Sequence, residues 1–376
     1  MFEINITEIV LYLFFAAAAV QAVLYIFIYP ALLVPPKKIE NTVELPVSVI
    51  ICARNEENNL RKHLPMILAQ DYPHFEVIVV DDCSDDGTEF LLKQMEAKHP
   101  NLRSTRLNPD NKFRHGKKLA LTVGIKSAKY DTLMLTDADC RPDSEGWLRS
   151  FVRKFSSGKT IVLGYGGYIH KEGLLDKLVR FDTVFVAINY LSAARWGMPY
   201  MGVGRNLAYS KELFFRNKGF ASHYGFISGD DDLFINEVAN STNTTLNLEE
   251  GSATRSVQVR SFIHWIYQKK RHLSSSQKYK STTKLFLGIE PLSRLFYFMA
   301  GTAALAFFYD TNHLQYILIA IGLRQLLQLL VFKLSMRRLG EQNLLLYSPI
   351  FDALQPIMYL VFFSNNLFAG GPKKWK

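Results

Sequence analysis

From Ile9 to Tyr29 the chain carries no charged residue and one amide, Gln21. At helical rise such a run reaches about 30 Å, the thickness of a bilayer's hydrocarbon core. A cleaved leader is the rival reading, and it fits poorly. Glu3 and Glu8 stand where a leader has basic residues, and the apolar run is too long. A retained membrane anchor is the expectation. Three further apolar stretches, Leu295–Tyr309, Tyr316–Phe332 and Leu344–Phe363, lie near the other end. They are less pure. Arg324, Gln325 and Gln328 interrupt the second, and Pro349, Asp352 and Pro356 the third. Polar groups at membrane depth are costly unless they face protein or a wet cavity, so a buried soluble helix competes with a span. The third stretch also suits a re-entrant or interfacial segment.

Charge follows the same division. The formal net charge is +10, yet residues 1–250 balance to −2 and residues 251–376 hold +12. Eight basic and no acidic residues lie from Arg255 to Lys284, among Phe262, Ile263, Trp265, Ile266 and Tyr267. Basic charge with interleaved aromatics suits nucleic acid or an anionic membrane surface. The apolar flanks favour the membrane, so no nucleic-acid partner is expected. Lys37 and Lys38 after the first span, and Lys333, Arg337 and Arg338 after the third, place the polar middle of the chain in the cytoplasm. Lys373, Lys374 and Lys376 conflict with this if every segment spans, and a re-entrant last segment relieves the conflict. Cys52, Cys83 and Cys140 form no CxxC pattern, which speaks against a disulfide framework or structural zinc.

The polar middle alternates between β-rich runs and helical spacing. Val47–Cys52 precedes a helix over Glu57–Gln70. Phe75–Val80 precedes one over Glu89–His99, and a helix over Lys117–Ala128 leads into a strand at Thr132–Leu135. This order predicts an α/β domain with a largely parallel sheet. Ligands of such sheets bind beyond the carboxyl ends of the strands, where Asp81-Asp82 and Asp137-Ala-Asp139 fall. One acidic pair is commonly a cap or turn, but two at successive strand ends suit a hard cation, Mg²⁺ or Mn²⁺, bridging a nucleotide diphosphate. There is no GxxxxGK[ST] and no GxGxxG after a strand, which disfavours a P-loop ATPase and a dinucleotide oxidoreductase. Gly229-Asp230-Asp231-Asp232 opens another apparent helix, Phe234–Val238. Crowded carboxylates there are either an over-supplied cap or a general base for a hydroxyl. His264 reads as an interfacial histidine more readily than as a metal ligand. Arg205 suits an anionic acceptor about as well as a loop salt bridge. The Asn-x-Ser/Thr triplets at Asn5, Asn240 and Asn243 carry no meaning in a cytoplasmic domain.

Five motifs in order carry a resemblance. They are Ile51-Cys-Ala-Arg-Asn-Glu-Glu57, Val79-Val-Asp-Asp-Cys-Ser-Asp-Asp-Gly-Thr88, Gly116-Lys-Lys-Leu-Ala-Leu121, Asp137-Ala-Asp139 and Gly202-Val-Gly-Arg-Asn-Leu-Ala-Tyr209. Together they resemble a membrane-anchored, inverting family 2 glycosyltransferase of the GT-A fold, the ceramide glucosyltransferase or polysaccharide synthase type. The resemblance covers roughly residues 45–275. It implies that Glu56 and Asp82, with Ala53 through its backbone, line the nucleoside pocket. It implies that Asp137 and Asp139 hold the metal and diphosphate with Lys117 close by, and that Asp230 or Asp231 is the base, Asp231 slightly favoured. Gln268-Lys-Lys-Arg-His272 resembles the Q-x-x-R-W motif, in which Arg271 would steady the leaving diphosphate and Gln268 would accompany it. His272 stands where the stacking Trp would be, which tells against processive synthesis.

The layout expected is an anchor at 1–36, a GT-A domain at 44–250, a basic amphipathic interfacial segment at 251–284 and a membrane region at 285–376. The function expected is metal-dependent inverting transfer from a nucleotide sugar, UDP-linked, to a lipid or lipid-linked acceptor at the inner cell membrane. A processive polysaccharide synthase and a non-catalytic scaffold of a membrane assembly are the competing readings.

Overall fold

A computed structural model describes residues 5–35, 44–109, 116–155, 158–226 and 228–369. Lys37, Lys38 and the lysines at 373, 374 and 376 lie outside the described residues. The chain opens with α1 (Ile6–Val23), capped by Asn5. It then alternates β1 (Val47–Ala53), α2 (Glu57–Leu68), β2 (Phe75–Asp82), α3 (Thr88–Glu96), β3 (Leu102–Leu107), α4 (Lys117–Ser127) and β4 (Thr132–Asp137). Next come β5 (Cys140–Pro142), α5 (Trp147–Phe155), β6 (Ile161–Leu163), β7 (Gly166–Tyr168), α6 (Leu174–Arg195), β8 (Leu207–Ser210), α7 (Lys211–Arg216) and α8 (Asp232–Val238). The end is β9 (Thr244–Leu246), β10 (Thr254–Ser256), α9 (Phe262–Ser276), α10 (Ser281–Phe307), α11 (His313–Arg338) and α12 (Ser348–Ala369).

The main sheet has the order β3-β2-β1-β4-β8-β6-β9. Its first four strands are parallel, as the alternation predicts, and every residue of β1 is buried. A strand covered on both faces must read as a continuous apolar run, which is why Val47–Cys52 was legible. The other half is mixed: β8 runs antiparallel to both β4 and β6, and β9 runs parallel to β6. These strands have three or four residues each, too short for periodicity to reveal them. A second sheet, β5-β10-β7, joins three more short strands.

Two compact units divide the chain. One holds residues 35–172 and 193–279, the other residues up to 34, 173–192 and 280–370. The division differs from the expected layout at α6. Most of that helix belongs with the apolar helices, because Phe181 packs on Phe332 and Phe351 at ring separations of 5.0 and 5.5 Å. The basic stretch after residue 251 continues the polar unit as β10 and α9.

Among the described residues three helices are long and apolar enough to cross a membrane: Ile6–Leu33, His313–Arg338 and Leu345–Asn366. The expected apolar segment Leu295–Tyr309 coincides with the last part of α10 and the two residues after it. The earlier part of α10 carries Lys284, Glu290 and Arg294, and the helix as a whole is not one of the three. The polar interruptions are buried against protein. Arg324, Gln328 and Asp352 are each at most 2% exposed.

Candidate active site

The chain leaves β1 for β2 on one side and reaches β4 on the other, so the crevice between β1 and β4 is a topological switch point. Register brings Ala53 opposite Asp81 and Cys52 opposite Asp137, which lines the acidic strand ends along one edge. The loops after β1 and β2 brace each other there. Asn55 donates its N–H to Ser84 Oγ at 2.8 Å and accepts Asp85 N–H at 2.8 Å, and the Glu56 N–H reaches Thr88 Oγ1 at 3.1 Å. Asp86 accepts from Glu57 N–H and from Thr88 N–H. Much of the Val79–Thr88 motif is therefore turn chemistry. Ala53, Glu56 and Asp82 are buried at this edge, and a Glu56 oxygen accepts the Asn59 amide at 2.5 Å.

Lys117, the first residue of α4, connects the acidic groups. Its Nζ is 2.9 Å from Asp137 Oδ1 and 2.9 Å from Asp230 Oδ2. Asp230 reaches Lys117 from the turn made at Gly229. That residue has φ +100°, and a Cβ there would sit 2.4 Å from the Leu233 side chain, so only glycine fits. Just before it, the buried Lys118 ammonium donates to the His223 and Phe226 carbonyls at 2.6 and 3.0 Å, fixing the approach.

The three adjacent carboxylates have three fates. Asp230 is 5% exposed; burial opposes its charge, but Lys117 and then Arg271 hold it below the ordinary carboxylate range. Asp231 is half-buried and accepts the Gly204 N–H at 2.7 Å and the Asp232 N–H at 2.8 Å. Burial first, then Asp230 and Asp232, push it up to about 7. Asp232 is structural: it accepts the hydroxyls of Ser275 and of Tyr279, the latter at 2.8 Å. It thereby ties α8 to α9, the helix that carries Gln268 and Arg271. Asp232→Ala is expected to leave the buried Tyr279 hydroxyl unpaired, while Ser275 keeps the His272 carbonyl at 2.7 Å, and to cost about 1–3 kcal/mol, read as a lowered thermal unfolding midpoint.

Asp137, Asp139 and Cys140 place their ligand atoms within 4.8 Å of one another. Asp139 accepts Ser256 Oγ at 2.9 Å and the Cys140 thiol at 3.4 Å. Burial, then Asp137, raises its carboxyl pKa, against the lowering effect of the Ser256 hydroxyl and the Arg205 charge. Burial also keeps Cys140 a thiol, which leaves two carboxylates as the donor set, the kind a hard divalent cation takes. Gln268 exchanges hydrogen bonds with the Tyr168 hydroxyl at 3.1 and 3.3 Å, and Tyr168 lies beside Ser256 in register.

The structure thus brings together Lys117, Asp137, Asp230 and Asp231, with the charge of Arg271 acting on Asp230. Ser256 and Tyr168 were missed, because they come from three-residue strands with no local signal. In the Gly202–Tyr209 motif, Asn206 faces the core. It donates to the Tyr165 and Ser252 carbonyls at 2.7 and 3.0 Å and accepts Trp147 Nε1 at 2.9 Å. His264 pairs with the helix-capping Ser261 at 2.7 Å.

Residues 48–218 match the family model described as Glycosyl transferase family 2. The chain is 35% identical to Glycosyltransferase AglE of Haloferax volcanii over 136 residues, 35% of this chain and 43% of the relative. It is 26% identical over 178 residues to a dolichyl N-acetyl-alpha-D-glucosaminyl phosphate 3-beta-D-2,3-diacetamido-2,3-dideoxy-beta-D-glucuronosyltransferase of Methanococcus voltae, 46% of this chain and 50% of the relative. The chain thus spans half or less of these relatives' lengths. Among solved structures, mannosyltransferase PcManGT of Pyrobaculum calidifontis, in complex with GDP-Man and Mn²⁺, superposes with a TM-score of 0.63 at 18% identity. That match covers 97% of this chain and 99% of that one, and it shows a GT-A-type fold.

Proposed function

We propose that this chain, which carries a family 2 glycosyl transferase domain, moves a sugar with inversion from a nucleotide diphosphate sugar, UDP-linked, to a hydroxyl of a lipid or lipid-linked acceptor. One observation carries the reading: a single ammonium, Lys117, bridges the strand-end carboxylate Asp137 and the helix-opening carboxylate Asp230. The diphosphate end and the proton-accepting end of a transfer site are thereby one cluster. Glu56, Asp82 and the Ala53 backbone line the nucleoside side, and Asp137 and Asp139 would hold the metal. A bound Mg²⁺ or Mn²⁺ would offset charge on the diphosphate.

Asp231 is the base. It is more exposed than Asp230, and a carboxyl near 7 is matched to a proton acceptor at neutral pH. Asp230, ionised against Lys117, keeps Asp231 basic by repulsion. As the acceptor oxygen bonds to the anomeric carbon, its proton passes to Asp231. The bond to the diphosphate breaks with its electron pair, and Arg271, with Gln268 beside it, steadies the leaving group. Three helices of spanning length support a multi-pass protein, and the basic residues closing α11 support, by the positive-inside bias, a cytoplasmic catalytic domain at the inner cell membrane. A lipid-linked acceptor agrees with the name of the Methanococcus relative, and Mn²⁺ with the Pyrobaculum complex.

The test is a screen of radiolabelled nucleotide sugars against native membrane lipids, with the product read by mass. Asp139→Ala, and Asp230→Ala combined with Asp231→Ala, are expected to insert in membranes and to transfer no label. Full transfer by either variant overturns the reading.

A further inference from the structure

Arg205 is held in place more firmly than an ordinary loop arginine. Its carbonyl accepts the hydroxyls of Thr136 at 3.0 Å and Thr254 at 2.9 Å. Its guanidinium donates to the Gly166 carbonyl at 2.5 Å, hydrogen-bonds Tyr168 and lies over that ring at 4.6 Å. Gly166 is glycine for this reason, since a Cβ there would meet Arg205 Nε at 2.4 Å. Nε is buried without a hydrogen-bond partner, and among the described residues no carboxylate pairs with the guanidinium. The contrast with Lys117 is direct, because that ammonium is already met by Asp137 and Asp230.

Position adds to this. The preceding residue, Gly204, gives its N–H to Asp231, and the charge of Arg205 reaches both Asp139 and His272. A guanidinium half withdrawn from water without a counter-ion is costly, and its planar fork matches phosphoryl and carboxylate oxygens.

We propose that Arg205 is the oxyanion-binding residue of this site, taking a phosphoryl or carboxylate group of a bound substrate. The inference rests on the transfer reading above. The oxyanion has two sources: the leaving diphosphate, or an anionic group on the acceptor next to the attacking hydroxyl.

The test uses the full chain in detergent. One arm titrates UDP or GDP with Mn²⁺; the other measures binding of labelled inorganic phosphate with the Mn²⁺–nucleotide already bound. Arg205→Gln is expected to weaken one arm by about tenfold or more while thermal unfolding stays in place. Loss in the first arm assigns the diphosphate, and loss in the second alone assigns an acceptor anion. Unchanged affinity in both arms overturns the proposal. If Arg205→Gln fails to fold, Arg205→Lys keeps the charge without the fork and must weaken one of the same arms; unchanged affinity again overturns the proposal. A wild-type chain that binds no nucleoside diphosphate with Mn²⁺ sinks the transfer reading instead, and phosphate binding alone then decides Arg205.

Discussion

Asp231→Asn is expected to slow sugar transfer by about 10²–10⁴-fold, the range for removing a positioned base, with nucleotide binding retained. Asparagine keeps an oxygen for the Asp232 N–H that opens α8, so the local fold should survive. The wild-type pH profile should carry the same group. Its carboxyl lies near 7, so it is protonated below that pH and ionised above it. Transfer should therefore fall about tenfold per pH unit below 7 and level off above it. In Asp231→Asn that limb should vanish. Retention of more than about a tenth of wild-type transfer removes Asp231 from the role. If Asp230→Asn alone abolishes transfer and Asp231→Asn does not, the base is Asp230. Asp230→Asn has its own expected signature, tighter nucleotide binding, because it frees the Lys117 ammonium from one of its two carboxylates and leaves it more positive toward a diphosphate.

Asp352→Leu is expected to be the most destabilising single change in the apolar helices, at about 3–5 kcal/mol. Asp352 is fully buried and pairs with Arg324 and with Arg294, the latter at 3.1 Å. Arg294 also meets Glu290 at 2.9 Å. Gln21 accepts from Arg324 at 2.8 Å and donates to Ser293 at 2.9 Å. Removing Asp352 leaves two buried guanidinium groups facing one carboxylate. Asp352→Leu combined with Arg324→Leu leaves the Arg294–Glu290 pair balanced, and should recover much of the loss. Detergent-resistant folded yield and thermal unfolding measure both variants. A double variant no better than the single one shows that packing, not charge balance, holds these four helices.

Gln21 illustrates how far local sequence reaches. As the one polar residue of the first apolar run it was easy to find, but nothing near it named a partner. Its partners, Ser293 and Arg324, lie about 270 and 300 positions later. The acidic cluster shows the same limit. The motif Gly229–Asp232 marked three carboxylates as one feature, with Asp231 only slightly ahead. Tertiary neighbours gave them three characters: Lys117 for Asp230, a backbone N–H from Gly204 for Asp231, and two hydroxyls from α9 and beyond for Asp232. Ser256 and Tyr168 could not be read at all, since a three-residue strand is shorter than any period that would reveal it.

The sequence alone determined the apolar first helix, the α/β alternation through β4 and the acidic residues at the strand ends. Each is written in local periodicity or in composition, which act over a few residues. The tertiary structure decided which carboxylate stays ionised, where the lone guanidinium of Arg205 points its charge, and how the charges buried among the apolar helices balance. Those depend on desolvation and on partners tens to hundreds of residues away, and both exist only once the chain has folded.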